Sequence, residues 1–206
     1  TYSLTTGNTV GISASNTTIC TPDCNVEAVD TGLLFTGEQT RDAGEEFALG
    51  LRAVRTNTET RACEAAVQGT RNVDLTLGCL NPDSCLSPLL INGESLEPSR
   101  TLALEFDTNG EANLESVIYN DAGLIQLSAS VGVATGAILE GESSPFVVKP
   151  AKIGFGVYNS EGNANDGEGA FTVAETPFRV ELTPLAVDGS RTPNFGNEAT
   201  PHKLTI

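Results

Sequence analysis

Apolar residues along this chain recur at every second position far more often than at helical spacing. Phe47, Leu49, Leu51 and Ala53 alternate with Ala48, Gly50 and Arg52; Val73, Leu75 and Leu77 repeat the pattern, and so do Leu102, Leu104 and Phe106. Side chains two apart in an extended strand share a face, so each run predicts a strand with one buried and one solvated side. Clusters of Gly, Asn, Asp and Pro punctuate the runs, as turns do. Asp107, Thr108, Asn109 and Gly110, placed between Phe106 and the run at 114–119, predict a tight hairpin. The one stretch of helix-forming residues, 63–68, is too short to stand without packing.

The strands continue at 121–130, where Leu124 or Ile125 joins Leu127 and Ala129 behind an Asp-x-Gly start. That start fits the late strand of an immunoglobulin-like sandwich. The chain then begins again: residues 141–145 form a small polar junction, followed by the strand Phe146-Val-Val-Lys-Pro150. An internal repeat supports the restart. AGEEFALGL at 43–51 aligns with AETPFRVEL at 174–182, and each copy follows a Gly- and Phe-containing strand, LLFTG with Phe35 and KIGFGVY with Phe155. The predicted fold is all-β, with tandem immunoglobulin-like antiparallel β-sandwich modules: a first module with its lead segment at 1–145, and a second, incomplete one at 146–206.

With 206 residues, 39% of them hydrophobic, the chain can build a real core. Eleven Lys and Arg stand against 27 Asp and Glu, a net charge of −16 that repels phosphate backbones and anionic membranes. Nucleic acid is not an expected partner, and the acidity reads as a device that keeps an exposed protein in solution. No apolar run reaches the roughly 18 residues of a membrane helix, and no signal-peptide pattern opens the chain. If the protein is exported, its signal and any anchor are expected to lie outside this sequence or to have been removed.

Five cysteines accompany no Met and no Trp. Cys20 and Cys24 lie in ICTPDCN, Cys79 and Cys85 in CLNPDSC, and Cys63 stands between the pairs. Close pairs across Pro-containing turns suit disulfides in an oxidising compartment. An odd count leaves at least one thiol unpaired within the chain, and the connectivity is open. Zinc is not expected, because His202 is the sole histidine and lies far from both pairs.

No catalytic set emerges. A Ser-His-Asp triad would depend on His202, between Pro201 and Lys203, a poor place for a fixed base. Glu45 with Glu46, and Glu105 with Asp107, pair carboxylates as glycosidases do, yet sugar-stacking aromatics are scarce. Calcium is the one cation left open. Asp107, Asn109 and Glu111 begin like a calcium loop, but Ile118 stands where its closing acid belongs, so a turn is the better reading. The loop at 159–169, with Glu161, Asp166 and Glu168, reads as solvated. No phosphate-binding glycine loop implies a nucleotide cofactor. Asn16 begins an Asn-Thr-Thr triplet that reads as part of a Thr-rich strand or turn.

Several motifs in order carry a resemblance: CNVEAVDTGLLF at 24–35, AGEEF at 43–47, AVRTNTETRAC ending at Cys63, CLNPDSC at 79–85, YNDAGLIQL at 119–127, LEGESSPFVVKP at 139–150 and TPNFGNE at 192–198. Over nearly the whole chain they resemble the C-terminal region of MshQ-type proteins, a DUF6701-like domain of unknown function encoded with mannose-sensitive haemagglutinin type IV pili. The resemblance implies a non-catalytic structural or stalk module of an extracellular or outer-surface protein of a Gram-negative bacterium, associated with such a pilus. The partners it implies are other modules of the same protein or pilus components, with no membrane insertion by this part. The alternative is an adhesin-type module recognising a glycan, a pilin or a host protein through exposed aromatics, for which Tyr119, Tyr158, Phe171 and Phe195 are the candidates.

Overall fold

A computed structural model of the chain describes residues 31–201 except 58, 61, 134, 135, 166, 169 and 170. The described residues form strands and no helix: β1 (Gly32–Thr36), β2 (Arg41–Asp42), β3 (Phe47–Thr56), β4 (Cys63–Ala65), β5 (Gly69–Asn81), β6 (Leu89–Ile91), β7 (Glu94–Leu96), β8 (Ser99–Phe106), β9 (Glu111–Tyr119), β10 (Gly123–Gly132), β11 (Ile138–Glu142), β12 (Phe146–Lys149), β13 (Lys152–Tyr158) and β14 (Arg179–Leu185). One sheet has the order β1-β3-β9-β6-β7, with β4 added to β3. The other has the order β2-β12-β10-β5-β8, with β11 added to β10. β13 and β14 pair only with each other.

The predicted alternation decides which face of each sheet is buried. Leu49, Leu51 and Leu114 from one sheet and Leu75, Ile125 and Leu127 from the other are at most 1% exposed and share one core. Each such side chain contributes roughly 1.5–3 kcal/mol by leaving water. At one corner β1 and β11 approach so closely that a Cβ on Gly141 would lie 1.9 Å from the Leu33 carbonyl oxygen. The result is the all-β, immunoglobulin-like sandwich that the periodicity predicts.

Three expectations change. The turn at 107–110 is not a hairpin within one sheet, because it carries the chain from β8 in one sheet to β9 in the other. Its pin is Gly110, which has a φ of 76° and whose carbonyl accepts the Ala53 N–H at 2.8 Å, tying the crossing to β3. Residues 63–68 are not helical. Residues 54–56 of β3 offer a free backbone edge, and β4 takes it, with Arg55 opposite Glu64 and their side chains 2.6 Å apart. Pairing overrides local propensity there.

The third change concerns the stretch after residue 145. β12 pairs with β10, and Phe146 and Val148 enter the sandwich core, the Phe146 ring lying edge-on to Phe47 at 6.0 Å. Ser143 continues the ladder across the polar stretch before it. Its N–H donates to the Leu127 carbonyl at 2.8 Å, and its hydroxyl accepts the Leu127 N–H at 2.9 Å. The sandwich thus runs through Lys149 instead of stopping at 145.

The internal repeat appears in the strand register. Phe35 of β1 lies opposite Leu51 of β3, and Phe155 of β13 lies opposite Leu182 of β14. Leu51 and Leu182 are aligned positions of the two copies. The two Phe differ in their surroundings: Phe35 is 9% exposed and Phe155 68%.

Candidate functional site: a buried polar joint

The motifs at 43–47, 79–85, 119–127, 146–150 and 192–198 meet where the chain beyond β14 returns to the sandwich. Asp121 is at the centre. Asp121 lies in a bend two residues beyond the end of β9, after the buried Val117 and Tyr119, and it is fully buried. Its Oδ1 accepts the backbone N–H groups of Asn194 at 2.9 Å and Ala122 at 2.8 Å, and Oδ2 accepts the Ser87 hydroxyl at 3.2 Å. Burial pushes the Asp121 carboxyl above the usual range, and these hydrogen bonds oppose the shift.

Asn194, 1% exposed, also donates through Nδ2 to the Ser84 carbonyl at 2.9 Å. Farther along, the Ala199 N–H donates to Asn81 Oδ1 at 2.9 Å. Between these anchors runs the Cys79–Cys85 disulfide, with a Cα separation of 5.5 Å. Tyr119 packs behind it, its hydroxyl 3.7 Å from Cys79 Sγ. Burial, and then the negative Asp121, push the phenol up to about 12, opposed by the Asn194 side chain.

Ala43 and Gly44 complete the joint. The Ala43 N–H donates to the Lys149 carbonyl at 2.7 Å, its carbonyl accepts the Val187 N–H at 2.8 Å, and the Gly44 N–H donates to the Tyr119 carbonyl at 2.9 Å. A surface cleft of about 400 Å³ opens alongside, lined by Ser87, Pro88, Leu90, Asn120, Asp188, Ser190, Arg191 and Pro193. Hydrogen bonds from Ser190 hold the Asp188 carboxyl below its usual range.

The residues singled out from sequence are distributed differently. Cys79 and Cys85 are joined, Cys63 is an exposed free thiol, and Cys20 and Cys24 lie outside the described residues, as do Asn16, Asp166 and His202. One carboxylate of each pair serves a turn, and Glu105 accepts the Thr70 hydroxyl across β5 and β8. Asp107 Oδ1 accepts the N–H groups of Asn109 and Glu111, both at 2.8 Å, and Glu45 accepts the Asp42 N–H at 3.0 Å and pairs with Arg41. Among the described residues no three metal-ligating side chains converge.

Of the candidate aromatics, Tyr119 is buried, because it belongs to the inward phase of β9. Tyr158 is half-buried with the Arg179 guanidinium 4.5 Å above its ring, and Phe171 and Phe195 are half-buried. Among the described residues the exposed rings are Phe155 and Phe178. Neither Asp121 nor Asn194 was among the sequence candidates. Their signal was an acid in the short link between two core strands and a Pro-Asn-Phe-Gly turn.

Solved structures with weak overall similarity include the major pilin subunit BcpA of Bacillus cereus, at 12% identity and a TM-score of 0.32, covering 80% of this chain and 62% of that one. The D312A form of BcpA gives 13% identity and 0.30, covering 79% of this chain. A marsupial T cell receptor gives 14% identity and 0.29, covering 80% of this chain and 89% of that one. This chain spans 54% of the length of the D312A pilin chain. No curated protein matches the sequence. The family described as "Domain of unknown function (DUF6701), first Ig-like domain" matches residues 11–142. The chain belongs to the DUF6701 family and carries its first Ig-like domain.

Proposed function

We propose that this chain is a non-catalytic structural module of an extracellular surface protein, of the MshQ type and associated with a type IV pilus of a Gram-negative bacterium. The observation that carries the reading is the joint at Asp121 and Asn194. A flexible tether between modules leaves its polar groups in water, whereas this joint buries a polar pair, and a desolvated carboxylate is tolerated only when its acceptor sites are filled. The disulfide beside it suits an oxidising compartment. The β13–β14 hairpin repeats the register of β1 and β3, which fits it to be the first part of a second sandwich module. Its partners are then neighbouring modules and pilus components.

An adhesin reading has one observation in its favour. Ile153, Phe155, Phe178 and Val180 leave an apolar face of the hairpin exposed to water, the kind of patch that marks a binding surface.

Immunogold labelling of intact, piliated cells with antibody to this chain tests the first reading against a strain lacking the parent gene. Gold along pili that vanishes in the deletion strain supports the stalk, and gold restricted to tips favours the adhesin. Label found only after permeabilisation rules out surface display.

A further inference from the structure

The Cys79–Cys85 disulfide closes a small ring whose members grip the chain beyond β14. Inside the ring, Asn81 Oδ1 accepts the Ala199 N–H and the Ser84 carbonyl accepts the Asn194 amide, both at 2.9 Å. Just outside it, Ser87 binds Asp121, which in turn holds the Asn194 backbone. The two ends of the bridge differ in access. Cys85 is exposed, while Cys79 is half-buried with the Tyr119 hydroxyl near its sulfur.

We propose that Cys79–Cys85 is a thiol–disulfide exchange site whose oxidation state sets whether residues 192–199 are docked on the sandwich. The reductant is a dithiol. One of its thiolates attacks the exposed Cys85 Sγ, forming a mixed disulfide and breaking the bond to Cys79. The electron pair of that bond leaves on Cys79, whose thiolate accepts a hydrogen bond from the Tyr119 hydroxyl. The second thiolate of the reductant then attacks its own sulfur in the mixed disulfide and releases Cys85. Two electrons reach the protein, both cysteines take up protons, and the dithiol ends as a disulfide; a carrier disulfide runs the sequence backwards.

The buried Tyr119 phenol, pushed up to about 12, stays protonated throughout the range in which thiolates form, so it remains a donor. Opening the ring returns to residues 80–84 the conformational freedom that closure removes. The acceptors on Asn81 and Ser84 then no longer stand at a fixed spacing, and the segment that they hold is released.

Backbone hydrogen exchange tests this in the full chain carrying Cys20→Ser, Cys24→Ser and Cys63→Ser, which leaves Cys79 and Cys85 as its two cysteines. On reduction with dithiothreitol, the Asn194 and Ala199 amides are expected to exchange about tenfold faster or more, while Leu75 and Leu127 keep their protection. Reoxidation restores the slow rates. Unchanged exchange at Asn194 and Ala199 overturns the proposal, and so does an equal loss of protection through β5 and β10. The Asn194→Ala variant supplies a second check. Its Ala199 amide is expected to exchange fast already when oxidised, with little further effect of reduction. Acceleration there by the same factor as in the parent means that ring and tail are uncoupled, and the proposal fails.

Discussion

The backbone N–H of Asn194 donates to Asp121 Oδ1 at 2.9 Å, joining two residues that lie 73 apart in the sequence. Replacing Asp121 by Ala leaves the N–H groups of Asn194 and Ala122 and the Ser87 hydroxyl without their acceptor. Each stranded buried donor costs about 1–3 kcal/mol, so Asp121→Ala is expected to lower stability by about 3 kcal/mol or more, read as a fall in the urea midpoint at unchanged slope.

The same carboxylate gives a pH signature. Its folded pKa is raised above the ordinary value of 3.8, first by burial, so the folded state holds the proton more tightly than the unfolded chain does. Its contribution is then fully present below that ordinary value and declines as pH rises through the folded pKa. Stability curves of the parent and Asp121→Asn measured between pH 3 and 7 are expected to show their difference moving against the parent as pH rises above about 4. A difference that moves the other way contradicts the assignment. Because Asp107 and Asp188 are shifted downward in both proteins, they cancel in the comparison.

Phe35 and Phe155 occupy matching places in the two copies of the repeat, but one is in a core and the other faces water. Phe35→Ala is expected to cost about 3–5 kcal/mol in equilibrium unfolding. Phe155→Ala is expected to stay within about 0.5 kcal/mol of the parent.

Two glycines separate crowding from backbone freedom. A methyl group at Gly141 meets the Leu33 carbonyl, and one at Gly132 meets nothing within 4 Å. Thermal melting of Gly141→Ala is expected to show a loss of about 2 kcal/mol or more, because the obstacle is backbone that must move. Gly132→Ala is expected to be neutral or to gain up to about 1 kcal/mol by restricting the unfolded chain.

Much of this molecule is legible in its alternation. Leu75, Leu127 and their neighbours show period two because a sandwich face demands it, and the phase alone says which side chains meet. What the pattern cannot carry is the identity of a strand's neighbours. Asp107 to Gly110 has the chemistry of a hairpin turn and is one locally, but the choice between continuing a sheet and changing sheets rests with Gly110 and its bond to Ala53. Residues 63–68 have helix-forming side chains, yet a free edge on β3 outweighs them. The joint was hidden for a related reason. Its residues come from five separate motifs, each ordinary alone, and Asp121 is a turn acid by position whose burial depends on partners far away in the sequence, Ser87 and Asn194.

The pairing of β2 with β12 is parallel, with Val148 opposite Arg41 and Lys149 opposite Asp42, and the Lys149 ammonium reaches the Asp42 carboxylate. Once the pull reaches the start of β2, beyond the β1–β3 pair that precedes it, and the end of β12, this parallel pair is loaded from opposite ends. The hydrogen bonds between them then lie across the line of force and give way together, in shear. An antiparallel pair gripped at one end would unzip rung by rung. How this short contact meets a pull along the chain is therefore set by the parallel direction of its two strands more than by the size of the core.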